Sequence, residues 1–147
     1  MSEGMAESER IASYVLARLY ENGLTPLDIK ERDLTALCKK GDPDSDLDKE
    51  RTRRVKAVNG VMDYLVNENI IRVRGGYYEF GIRLISYVDV SLTSHGLRIL
   101  HALPKGLDPD TDQRTFGERM ADSVEGGNFS IAAQVFREML SRFESVK

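Results

Sequence analysis

One cysteine, no tryptophan and four prolines are all that these 147 residues contain of those types. The lone Cys38 permits no internal disulfide and cannot build a cysteine-rich zinc site, which fits a reducing, cytoplasmic setting. Aromatic residues make up only 7%, so the interior is expected to be aliphatic. No apolar run approaches the roughly 20 residues that span a bilayer, and the polar start MSEGMAESER has no signal-peptide pattern. A soluble protein with no membrane partner is expected. Net charge is −3 with pI near 5.5, which excludes a uniformly basic coat for nucleic acid. Any such contact has to come from a local patch.

Reaction chemistry is equally sparse. There is no glycine-rich phosphate loop, no GxSxG elbow and no Cys-His nucleophile arrangement, so neither an enzyme nor a cofactor is expected. His95 and His101 fall on different faces of a helix and do not form the adjacent pair of an HExxH site. The acidic run Asp42, Asp44, Asp46, Asp48 has the spacing of a calcium loop, yet Leu47 stands where glycine is needed and Arg53 where a bidentate glutamate is needed. Its echo at Asp108, Asp110 and Asp112 fails in the same way, with Gln113 and Arg119 at those positions. No metal site is expected.

What is present is patterning. Apolar residues make up 41% and charged residues 31%, as in folded domains, and the length suits one core with an appendage. Ile11, Val15 and Leu19 recur every four residues, predicting a first helix from Ser8 to about Asn22, closed by Asn22-Gly23. Residues 25–29 read as an irregular approach to a short helix over Glu31 to Lys40 with Leu34 and Leu37 inward. A third helix is predicted from Asp48, as N-cap, to about Asn69. Val55, Val58, Met62, Leu65 and Val66 form its buried arc, and Lys49, Arg53, Lys56, Gly60, Asp63 and Asn67 its opposite face.

Ile70, Ile71 and Val73 then read as a strand entering a turn at Gly75-Gly76, with a return strand through Tyr87, Val88 and Val90. Thr93 or Ser94 caps a fourth helix, under which Leu92, Leu97 and Leu100 pack before Pro104. The boundaries read as a domain over 1–104, a linker over 105–114 and a helical extension over 115–147. The extension divides at Gly126-Gly127 into helices near Thr115 to Val124 and Asn128 to Glu144. Phe129, Ala132, Ala133, Phe136, Leu140 and Phe143 make an apolar face on the last helix that has to cover its own domain or the same helix of a second copy. These six residues are the candidates for oligomerisation, and a homodimer is expected.

This order of parts resembles the winged helix-turn-helix superfamily, in the style of the MarR and PadR regulators, over residues 8–104. Its sharpest match is Leu92-Thr93-x-x-Gly96 with Leu100, similar to an LTxxGxxxL pattern that ends the wing in such proteins. The resemblance implies a mainly α fold with a small antiparallel β-wing, and duplex DNA as partner. It implies a recognition helix in the third position, with Lys49, Arg51, Arg53, Arg54 and Lys56 facing bases and phosphates, and Arg72 and Arg74 in the wing. Phosphate neutralisation supplies non-specific affinity, and arginine pairs bidentately with guanine. From 49 to 74 seven basic residues stand against Glu50, Asp63 and Glu68, a local +4 in a chain of −3. A dimeric transcription regulator is the leading expectation. The competing one treats the charges as a solvated helix face and the fold as a protein-interaction module, such as an immunity, antitoxin or complex-assembly factor.

Overall fold

A computed structural model describes residues 3–38, 46–81, 83–103 and 114–144. The elements run α1 (Glu3–Glu21), β1 (Leu27–Lys30), α2 (Glu31–Thr35), α3 (Leu47–Asn67), β2 (Ile71–Glu79), β3 (Arg83–Leu92), α4 (Ser94–His101), α5 (Phe116–Glu125) and α6 (Phe129–Glu144). The protein is thus mainly helical with a small antiparallel sheet of order β1-β3-β2. Pro104, all but the last residue of the expected linker and the Asp42 to Asp44 stretch lie outside the described residues, as do Asp108, Asp110 and Asp112.

Helix α1 starts five residues before the predicted Ser8, because two carboxylates in its first turns find cations elsewhere in the chain. Ile11, Val15, Leu16 and Leu19 are buried along it. It ends at Asn22-Gly23, where Gly23 takes φ 65, the left-handed conformation that closes helices. The segment expected to be irregular contains β1 instead. Leu27 pairs with Val90 and Ile29 with Tyr87, and Ile29 enters the core. Helix α2 is shorter than expected, turning after Thr35 with Leu34 buried and Leu37 half-buried.

Helix α3 begins one turn-step earlier than predicted: Asp46, not Asp48, is the N-cap, and its carboxylate accepts from the Asp48 amide at 2.9 Å. Val58, Val61, Met62 and Leu65 form the buried stripe, while Val55 is half-buried and Val66 is exposed. The arc therefore lies slightly rotated from the predicted one. Asn69, at φ 60, turns the chain into β2.

The hairpin turn is not at Gly75-Gly76. Both glycines lie inside β2, opposite Val88 and Tyr87, and the chain reverses at Phe80 and Gly81, with φ 55 and 71. Both residues take the left-handed conformation in the loop between the paired Glu79 and Arg83. The hairpin is accordingly long, with strands of nine and ten residues.

Thr93 caps α4 by accepting from the Gly96 amide at 2.9 Å, and its hydroxyl donates to the Asn69 carbonyl at 2.5 Å, with the Ile70 carbonyl further off at 3.2 Å. A Cβ at Gly96 would overlap the Ile70 carbonyl oxygen and stand 2.9 Å from its carbon. Close approach of α4 to the Ile70 main chain, in the link between α3 and β2, is thus why glycine sits there. Thr115 and Glu118 form a capping box at the start of α5, and Gly126-Gly127 separates α5 from α6. Tyr20 ties these parts together: its hydroxyl lies 3.1 Å from His101 Nδ1 and 3.3 Å from Thr115 Oγ1. Gly117 gives its ring room, since a Cβ there would stand 2.7 Å from Tyr20 Cζ. Phe116, Met120, Val135, Phe136 and Met139 join Ile11, Leu16, Leu65 and Leu100 in one hydrophobic cluster, so the extension shares the core of the preceding domain.

Candidate nucleic-acid interface

Along α3, at about 100° per residue, Lys49, Arg53 and Lys56 fall on one face, and Arg51 and Arg54 on the opposite side, in line with the stripe that is buried further along the helix. Lys49, Arg51 and Lys56 are exposed, and none has an ion-pair partner among the described residues. Arg53 differs. Its guanidinium donates to both oxygens of Glu7, at 3.2 and 3.4 Å, and lies 3.7 Å from Glu50. The Glu7 side chain is 4% exposed, so this is a carboxylate held in the interior by a cation that still reaches water. Hydrogen bonding to Glu7 is also the main reason the Arg53 guanidinium is driven to even higher pKa. Arg54 is half-buried, its Nε unpartnered in the interior.

On β2, Arg72 and Arg74 share the face opposite the inward Ile71 and Val73. Arg72 is exposed and has no ion-pair partner among the described residues, whereas Arg74 meets Asp89 at 3.1 Å with its side chain 81% exposed, a contact of small energetic value. Of the seven predicted cations, Lys49, Arg51, Lys56 and Arg72 therefore have no ion-pair partner among the described residues, one is tethered, one is half-buried and one is loosely paired.

The six residues assigned to oligomerisation lie otherwise than an exposed interface requires. Ala132, Ala133 and Phe136 are buried, and Phe129, Leu140 and Phe143 are half-buried, chiefly because α6 packs on α1. The apolar face is covered within the chain, one of the alternatives its periodicity allowed. Arg137 fixes that packing by donating to both oxygens of buried Glu9, at 2.8 and 3.2 Å.

Two features escaped the sequence. The buried carboxylates Glu7 and Glu9 carry no local signal, because their cations lie 46 and 128 residues away. Between α1, α3 and α6 an open groove of about 660 Å³ has Ala12, Val61 and Phe136 at its base and Lys56 and Tyr64 at its margin. Cys38 is inert: burial first, then the Glu7 charge, pushes its thiol up to about 11. Among the described residues no cluster of His, Cys, Asp and Glu could hold a metal, and no helix is long and apolar enough to cross a membrane. In comparisons with known proteins, no family model, curated protein or solved structure matches the chain.

Proposed function

We propose that the chain is a winged-helix protein that binds duplex DNA as a homodimeric transcription regulator, with α3 presented to the major groove. Support comes from the element order of helix, strand, two helices and a long hairpin, with a sheet of order β1-β3-β2. The observation that carries the reading is the set of exposed cations Lys49, Arg51 and Lys56 on the first half of α3, which have no ion-pair partner among the described residues. Cations so placed contact phosphates without first breaking an internal ion pair. Arg53 is withdrawn from base contact in this reading and serves to hold α3 against α1.

Reversing Lys49, Arg51 and Lys56 to glutamate should abolish retention on duplex DNA while leaving the far-ultraviolet dichroism and melting cooperativity unchanged. Equal retention of the wild type and the reversed variant at low salt would contradict the reading. Arg53 is unsuited to this experiment, since Arg53→Glu sets a carboxylate against buried Glu7 and confuses binding with folding.

A protein-interaction role has its own supporting observation. Tyr77, Tyr78 and Phe80 are 61%, 53% and 89% exposed at the end of the hairpin, an apolar patch that phosphate binding does not call for. Absence of DNA binding at every salt concentration would favour it.

A further inference from the structure

β2 is an edge strand. In a sheet of order β1-β3-β2, one side of its nine residues has no strand partner among the described residues. Natural edges of this length are blunted by proline, charged side chains and lysine above all, a bulge or a covering element. β2 has no proline and no lysine, and its charges are of both signs, Arg72 and Arg74 near one end and Glu79 at the other. Where pairing passes from Tyr77↔Ser86 to Tyr78↔Leu84 the extra residue, Ile85, is on β3, and the positive φ of Asp89 also lies on β3. The outer edge of β2 therefore runs regular, and every residue from Arg72 to Glu79 is exposed except half-buried Val73.

We propose that β2 pairs antiparallel with β2 of a second copy of this chain, joining two three-stranded sheets into one. Overlap of the whole strand from Ile71 to Glu79 puts the two-fold axis at Gly75, opposite itself. Arg72 then faces Tyr78 of the second copy, and Val73 faces its Tyr77. Each pair is separated by an even number of residues, so both members project from the same face, as antiparallel pairing demands. The strand is complementary to itself in this register: a cation meets an exposed ring and a β-branched residue meets an aromatic one, both favoured cross-strand pairs. Glycine at the axis keeps the centre of the contact free of side chains. The two-fold axis is perpendicular to the sheet, so the helices of both copies lie on one side of it. The contact takes the role that α6, covered by α1, does not fill, and it holds whether or not the protein binds DNA.

The test uses the full chain. A side chain at Gly75 meets nothing within 4 Å in the single chain, so Gly75→Asp and Gly75→Lys are tolerated by the fold but set like charges face to face across the axis. Sedimentation equilibrium from low to high micromolar concentration should give the wild type and Gly75→Ala twice the chain mass and each charged variant a single chain mass. An equimolar mixture of the aspartate and lysine variants should recover the doubled mass. A wild type that stays monomeric, a folded Gly75→Asp protein that stays dimeric, or a mixture of folded variants that fails to associate overturns the proposal. If either charged variant is misfolded by circular dichroism, amide exchange of the wild type decides: protection of β2 amides should rise with protein concentration, and concentration-independent protection overturns the proposal.

Discussion

Replacing Gly96 by alanine sets helix propensity against packing, and the two predict opposite signs. In an exposed helix interior the exchange stabilises by about 0.5–1 kcal/mol. At Gly96 the new methyl would overlap the Ile70 carbonyl oxygen and approach its carbon to 2.9 Å and its Cα to 3.2 Å. These are main-chain atoms and cannot swing aside. Overpacking costs about 1–3 kcal/mol, and displacing the Ile70 carbonyl weakens its bond from the Thr93 amide at about 1 kcal/mol. Less the propensity gain, the net loss is about 1–3 kcal/mol, or a Tm lower by roughly 3–9 °C at about 3 °C per kcal/mol for a chain of this size. Gly60→Ala is the matched control: Gly60 lies in α3 with nothing within 4 Å of a Cβ, so its Tm should rise by about 2–3 °C. Calorimetry of both variants suffices. A Gly96→Ala protein as stable as the wild type would refute the close approach of α4 to the Ile70 main chain.

Three further outcomes are expected. Cys38 should alkylate about a hundredfold more slowly at pH 8 than an unfolded-chain thiol, because burial lifts it from 9.0 to about 11, and equal rates with a small maleimide would contradict its burial. The same shift has a sign for stability. The folded state holds the proton more tightly, so the contribution is complete below pH 9 and is lost as pH rises towards 11, by roughly 2–3 kcal/mol; Cys38→Ala should lack this alkaline loss in denaturant titrations. Arg137→Ala should lower Tm more than Glu9→Gln, since the first leaves a carboxylate in a side chain only 6% exposed without its cation and the second leaves a guanidinium that reaches water; the reverse order in a melting series would contradict the pairing.

Elements with a strong period were legible in the sequence, and those defined by distant partners were not. The stripes on α1, α3 and α6 and the Thr93 cap with Gly96 follow from local spacing, because each rests on contacts within a few residues or on one apolar face. β1 is only four residues, follows Pro26 and has a register shift between Leu27 and Ile29, so its alternation is too short to stand out. Gly75-Gly76 carries a stronger turn signal than Phe80-Gly81, yet the glycines serve the strand. A Cβ at Gly76 would come within 2.9 Å of Leu84 and 3.1 Å of Tyr78, side chains that fill the space glycine leaves. Among the candidate cations, composition pointed to the basic half of α3 but could not reveal which members are engaged. That distinction depends on Glu7, placed beside Arg53 only by the packing of α1 on α3.

The salt dependence of binding to mixed-sequence duplex DNA tests most directly whether the exposed front of α3 is a phosphate-contacting surface. With the three exposed cations of α3 engaged, and about −0.9 in the logarithmic slope per contact, affinity should fall roughly fortyfold between 50 and 200 mM salt. Reversal of Lys49, Arg51 and Lys56 should flatten that slope and remove the binding. An affinity that is absent at both concentrations, or that is unchanged by salt and by the reversal, would contradict the assignment.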